Sequence, residues 1–229
     1  MTLGLYPCGK PTRSQRYPET MRTAYIGMGA NLPSQAGPPE ATLAAAAARL
    51  DFLGHVARRS SLYSTEPVGF ADQPRFVNAV AALQTELEPR PLLDELLKIE
   101  LEFGRDRSSG LLNGPRTLDL DILLFGGIQV REPGLEIPHP RLAGRVFALL
   151  PLAEIAPSLV PPGQSRTVSQ WLDTLRMRTG NGPGKEHEKQ NDAATPIHWS
   201  DWRAGAGGVD ADVAHEPADA GGSDLDRRR

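Results

Sequence analysis

The chain has 229 residues, 39% of them hydrophobic and 23% charged, with a formal net charge of −3; this is the balance of an ordinary folded protein and not of a disordered, fibrous or membrane one. So small a charge argues against a nucleic-acid partner, and a single cysteine, Cys8, excludes an internal disulfide and a cysteine-rich zinc site. No apolar run is long enough for a secretory signal or a bilayer span, so no membrane partner and a cytoplasmic location are expected, with room for one main domain.

In chain order, residues 1–20 combine basic residues and prolines and are expected to form a flexible leader. Thr23 to Gly29 reads as a strand, and Pro38 to Leu53 as an alanine-rich helix with prolines at its permitted start. His55 to Tyr63 and Phe76 to Leu87 read as two strands joined by the turn-rich segment Thr65 to Pro74. Pro89 to Phe103 has apolar residues at helical spacing and ends at Gly104. A strand follows within GPRTLDLDILLFG (Gly114 to Gly126), and Val168 to Leu175 is a short closing helix. From about residue 180 the composition turns to Gly, Ala, Asp and Pro without apolar period, as expected of a disordered tail over 180–229, leaving 21–179 as the folded domain. The tail also carries Trp199 and Trp202, to which composition assigns no role. The order β-α-β-β-α-β predicts a ferredoxin-like α+β layer, its largely antiparallel sheet covered on one face by helices.

Two acids interrupt the most apolar of these segments. Side chains alternate along a strand, so Asp119 and Asp121 share a face while Leu118, Leu120 and Ile122 take the other. At a separation of roughly 6.6 Å two full charges repel by about 0.6 kcal/mol in water and about 2.5 kcal/mol at an effective dielectric near 20. A cationic partner is required, and two are open: nearby arginines in an ion-pair network, or a hard divalent ion. Mg²⁺ takes one or two carboxylates and completes its octahedron with water and phosphate oxygens; no His or Cys lies at zinc-ligand spacing. Phosphate would also account for Arg105, Arg107 and Arg116 crowding the approach to the strand, with Arg145 following His139, because guanidinium forks match phosphate oxygens. Neither a GxxxxGK[ST] loop nor a complete dinucleotide fingerprint is present, Gly27-Met28-Gly29 lacking the last glycine.

Gly104-Arg105 through Arg107, the GPRTLDLD run, Ile137-Pro138-His139-Pro140 and Arg145-Val146-Phe147, together with the opening AYIGMGANL, make the sequence resemble the 6-hydroxymethyl-7,8-dihydropterin pyrophosphokinase family over about residues 22–175. The resemblance implies transfer of the β,γ-diphosphate of ATP to the pterin hydroxymethyl oxygen, with AMP released. It implies two Mg²⁺ ions on Asp119 and Asp121, with Arg105 and Arg107 acting alongside them in catalysis. Glu100, Arg105, Arg107, Arg116, His139 and Arg145 would line the ATP side. Thr65, Pro67, Val68 and Asn78 would edge the pterin between the rings of Phe76 and Phe147, a slot suited to a flat heterocycle with donor and acceptor edges. The Gly104–Gly114 loop is expected to close on ATP and exclude water. The protein is expected to be monomeric. Two rivals stand beside this reading. A nucleotide-sugar transferase would need a larger nucleotide domain; a catalytically inactive pterin- or nucleotide-binding protein of the same fold is the alternative.

Overall fold

The computed structural model of the chain describes residues 21–106, 114–178, 194–197 and Trp202. Its centre is the antiparallel pair of β1 (Arg22–Ala30) and β4 (Phe76–Thr85), in register from Arg22 opposite Thr85 to Ala30 opposite Val77. β5 (Asp119–Phe125) lies on the free side of β1. On the far side of β4 lie β2 (His55–Arg59) and β3 (Leu62–Thr65). A small hairpin, β6 (Val130–Glu132) with β7 (Leu135–Ile137), follows β5. Every pairing among the described strands is antiparallel, which is the α+β class expected.

The helices occupy both faces instead of one. On β4, Ala79, Ala81 and Leu83 pack into a core with α1 (Pro39–Leu50) and α2 (Pro89–Glu102), whereas Val80 and Ala82 pack into a second core with α3 (Val146–Ile155) and α4 (Val168–Arg178). The near-continuous apolar run VAALQT's neighbours FVNAV begin is therefore the signature of a strand buried on both sides. α3 escapes periodicity analysis because VFALLPLAEI is apolar but for Glu154 and carries Pro151 internally. The segment read as one strand from His55 to Tyr63 is two, divided at Ser60. There the Ser60 Oγ accepts the Val80 N–H at 2.9 Å, and the Ser60 N–H donates to the Val80 carbonyl.

The end of α2 is built to deliver Arg105. Gly104 adopts φ +79°, a left-handed conformation that costs a glycine nothing, and lets the Arg105 and Gly104 N–H groups bond back to the carbonyls of Glu100 and Leu101 at 3.0 Å each. The reversed chain then lies against the outer edge of β5, where the Arg105 Nη1 donates to the Leu118 carbonyl at 3.0 Å. The Glu100 carboxylate accepts the Leu120 N–H at 2.8 Å. Glu100 is thus buried, 1% exposed, as a support for the strand that carries the acids. An edge strand pressed under a helix end needs such a partner for its inner amide. Glu100→Ala is expected to cost about 2–4 kcal/mol of stability, read by chemical denaturation, because the Leu120 amide loses its acceptor in a dry site.

Part of the C-terminal region expected to be structureless joins the fold. Thr195–Ile197 forms β8 on β3, giving the sheet order β5-β1-β4-β3-β8 with β2 also on β4. Trp202, 3% exposed, belongs to the core that holds α1 and α2.

Candidate active site

A cleft of about 970 Å³ opens on the α3 side of the sheet, at the ends of β1, β3, β4 and β5. Its floor follows from the alternation in Gly27-Met28-Gly29. Met28 points into the α1–α2 core, and the two glycines face the cleft with no side chain. Gly29 pairs with Asn78 on one side and Asp119 on the other; Gly27 pairs with Val80 and Asp121. With neighbouring strands about 4.8 Å apart, the acids and the Asn78 amide stand on backbones about 10 Å apart across a bare strip of main chain. A Cβ at Gly29 would come within 3.1 Å of the Asn78 Oδ1, and one at Gly27 within 3.1 Å of the Leu123 Cδ2.

The β5 end is ionic. Asp119 is held by two guanidiniums, Arg116 Nη1 to Oδ2 at 2.7 Å and Arg105 Nη2 to Oδ1 at 3.2 Å. Among the described residues Asp121 has one ion-pair partner, Arg145, at 3.8 Å. Burial and the adjacent Asp119 carboxylate hold the Asp121 carboxyl above its ordinary pKa of 3.8, although His139, Arg145 and Arg141 pull the other way. Burial, and then Arg141, draw the Arg145 guanidinium below its usual value, still leaving it charged near neutrality. The acid pair is accordingly neutralised unequally, Asp119 fully and Asp121 in part.

Arg116 owes its position to Asn31, a buried amide whose Oδ1 accepts the Arg116 N–H at 2.7 Å and whose Nδ2 donates to Gln73 Oε1 and the Pro74 carbonyl. The Asn31 and Leu32 N–H groups both donate to the Arg116 carbonyl. Asn31 therefore ties the segment entering the acid strand to the segment entering β4, and Arg116 is left stacked 5.3 Å from the Phe76 ring. Sequence reasoning missed this role. Its available signal was an amide closing a strand at a turn, a residue with four hydrogen-bonding positions to satisfy.

The β3–β4 end is polar on one rim and aromatic on the other. The Asn78 Nδ2 donates to Thr65 Oγ1 at 2.7 Å, both residues being buried, which leaves the Asn78 carbonyl oxygen over the glycine floor. Phe76 and Phe147 both line the cleft, Phe147 with Arg145 5.4 Å from its ring. Glu66 and Val68 line it too, with Val68 mostly exposed; Pro67 sits between them and does not.

Of the residues singled out in the sequence, the structure brings together Arg105, Arg116, Asp119, Asp121, Arg145, Thr65, Val68, Phe76, Asn78 and Phe147. Arg107 and Ser108 to Asn113, the loop expected to close on ATP, lie outside the described residues. His139 stands at the border: it lines a second cleft of about 560 Å³, and its neighbour Pro140 lines both. Burial lowers the His139 pKa against the pull of Asp121, and its Nδ1 accepts the Arg141 N–H at 3.2 Å, so the neutral ring carries its proton on Nε2. Arg141 also lines the main cleft and went unremarked in the sequence, its only signal being its place between His139 and Arg145.

An arginine-flanked acid pair facing an amide-and-aromatic slot across bare backbone is an arrangement able to hold phosphate oxygens at one end and a small planar group at the other. A family model, 7,8-dihydro-6-hydroxymethylpterin-pyrophosphokinase (HPPK), matches residues 25–157. A Pseudomonas aeruginosa 2-amino-4-hydroxy-6-hydroxymethyldihydropteridine pyrophosphokinase is 50% identical over 147 residues, 63% of this chain and 87% of the relative. The Haemophilus influenzae protein of the same name is 44% identical over 158 residues, 67% of this chain and 95% of the relative. Among solved structures, wild-type Plasmodium falciparum HPPK-DHPS with pteroate superposes at a TM-score of 0.57 with 14% identity, covering 77% of this chain; the chain spans about half, 50%, of that protein. The chain belongs to the 7,8-dihydro-6-hydroxymethylpterin-pyrophosphokinase family, the diphosphotransferases of folate synthesis. No helix among the described residues is long and apolar enough to cross a membrane.

Proposed function

We propose that this chain transfers the β,γ-diphosphate of ATP to the hydroxymethyl oxygen of 6-hydroxymethyl-7,8-dihydropterin in the cleft over Gly27 and Gly29. The hydroxyl oxygen bonds to the β-phosphorus as the bond from that phosphorus to the α,β-bridging oxygen breaks; AMP leaves, and the hydroxyl proton is released. The single observation that carries this reading is the bare strip of β1 between Asp119 and Asn78, which lets a flat ring lie with one end at the amide and the other at the acids. On the pterin side, Asn78 and Thr65 would meet the donor and acceptor edge, Phe76 and Phe147 the two ring faces, and Pro67 and Val68 the rim. On the ATP side, Arg105, Arg116 and Arg145 would neutralise phosphate oxygens, joined by Arg107, and the His139 Nε2–H would donate from the nucleoside side. Alignment and charge neutralisation suffice for such a transfer, and no strong general base is required.

The donor set fits two Mg²⁺ ions. Asp119 and Asp121 offer hard oxygens on one face, and among the described residues no third His, Cys, Asp or Glu joins them in a group suited to a metal, leaving coordination positions for water and phosphate. When bound, Mg²⁺ supplies charge neutralisation at the phosphate oxygens. Asp119 and Asp121 would hold it, and Arg105 and Arg116, which pair with the Asp119 oxygens, would stand beside the phosphates. We assign this work to a domain of about residues 21–179 together with the C-terminal β8 and Trp202 that join it, acting as a monomer in the cytoplasm. The test is incubation with ATP, Mg²⁺ and the hydroxymethyl dihydropterin followed by chromatography. AMP is expected at one equivalent per pterin diphosphate; ADP in its place would mean transfer of a single phosphoryl group and overturn the proposal.

A further inference from the structure

The C-terminal strand β8 lies outside residues 25–157, the span the family model matches, and reaches the cleft. Its register on β3 places Thr195 opposite Ser64, Pro196 opposite Tyr63 and Ile197 opposite Leu62, so the next residue, Ala194, comes level with Thr65, and it lines the substrate cleft. Five residues beyond β8, Trp202 is sunk to 3% exposure, its indole N–H donating to the Ser60 carbonyl at the β2–β3 junction and its ring under the Arg59 guanidinium at 5.0 Å. Among the described residues, two nitrogens of that guanidinium, Nε and Nη2, are buried without a hydrogen-bond partner, and burial holds its pKa below the usual value against the pull of Asp51. The indole face is what the buried cation has in exchange for water, so the docked ring is bound at a site shaped for it.

We propose that β8 and Trp202 together act as an intramolecular strap that fixes β3 and thereby positions Thr65 and Asn78 for the pterin, making Trp202 a positioning residue for acceptor binding. β3 is only four residues long and without β8 would present an open edge. On its other flank it is anchored by β4, and by the Tyr63 hydroxyl, which donates to the Glu154 carboxylate of α3 at 2.9 Å. The Thr65 hydroxyl, the last side chain of β3, accepts from Asn78 and so sets which way the amide turns. Pinning the strand at Ser60 and zipping it through Ser64 removes the freedom that would let that pair rotate away. Among the described residues, the strap pairs with β3 and bonds to Ser60, while the proposed ATP side stands on β5 and the entry to α3. This inference rests on the reading of the Asn78 end as the pterin end.

The test uses the full chain, comparing the parent with Trp202→Ala and Trp202→Phe by calorimetric titration with the pterin and with Mg-ATP, alongside hydrogen exchange of β3. Trp202→Ala is expected to weaken pterin binding about tenfold, leave Mg-ATP binding within about twofold and speed exchange at Tyr63 to Thr65; Trp202→Phe, which keeps a ring under Arg59 but cannot donate to the Ser60 carbonyl, should recover part of the loss. Unchanged pterin affinity in Trp202→Ala overturns the proposal, as does an equal loss for both ligands. Should Trp202→Ala fail to fold, Ala194→Trp, which adds bulk at the cleft rim beside Thr65, must weaken pterin binding and spare Mg-ATP, and unchanged pterin affinity there is equally fatal. Because these readouts are binding constants, a parent chain that releases no AMP would count against the proposed reaction without deciding the fate of the strap.

Discussion

Asp121→Asn abolishes AMP release and yet leaves the chain more stable than its parent at neutral pH. The loss of turnover follows from removing a carboxylate from the pair that would hold Mg²⁺ against the polyphosphate, and a fall of at least about a thousandfold is expected. The gain in stability follows from linkage. The folded-state pKa of Asp121 lies above the unfolded value because burial and Asp119 disfavour its charge. Below the unfolded pKa the carboxyl is protonated in both states and Asn changes little. As pH rises from the unfolded through the folded pKa, the folded parent takes on the cost of ionisation, so the benefit of Asn emerges over that window and is complete above the folded pKa. With 41% of the Asp121 side chain exposed, solvent screening limits the gain to about 1 kcal/mol at most, roughly 2–4 °C in Tm. Asp119→Asn should behave oppositely in stability, since it leaves Arg105 and Arg116 facing one another without their shared partner; a loss of about 1 kcal/mol is expected, with turnover again abolished. Denaturation at pH 7 and pH 4 beside chromatography for AMP checks both. Turnover retained in both variants would remove the acids from the metal role, and an Asp121→Asn chain weaker than the parent at pH 7 would refute the electrostatic account.

Phe147→Ala separates the two substrates. Phe147 enters the cleft from the first turn of α3, two residues after Arg145, so truncation would delete one wall of the proposed ring slot while the Arg145 guanidinium stays on its own backbone. The lost stacking and buried area amount to about 1.5–3 kcal/mol, or about 10- to 100-fold in pterin affinity. Mg-ATP affinity should change by no more than about threefold, the margin allowed for losing the ring beneath Arg145. Calorimetric titrations with each ligand decide it: equal losses would mean that Phe147 holds the entry of α3 in place and does not contact the acceptor.

How much of this was legible in the sequence depended on whether a residue's role is local. Asp119 and Asp121 could be placed on one face from alternation alone, and the helix ending at Gly104 from composition and spacing, because both are settled within a few residues of chain. Glu100 could not. A carboxylate at that position reads from sequence as a ligand contact, and its support of the strand emerges only from the packing of α2 against the outer edge of β5. α3 was hidden because VFALLPLAEI, apolar but for Glu154, has too little polar contrast to give it a period, and the tail because three residues of strand and one tryptophan leave composition nearly unchanged. Asn31 and Arg141 act through partners distant in sequence or through a loop entry, where no spacing rule applies.

Gly27 and Gly29 were discounted as an incomplete nucleotide motif, yet they form the surface on which the acceptor would rest. Such a surface can be altered only by addition, since a glycine has nothing to give up. An inhibitor that presses flat against that main chain is therefore shielded from escape by side-chain loss there, and each replacement that thickened the floor would crowd the natural substrate along with the drug.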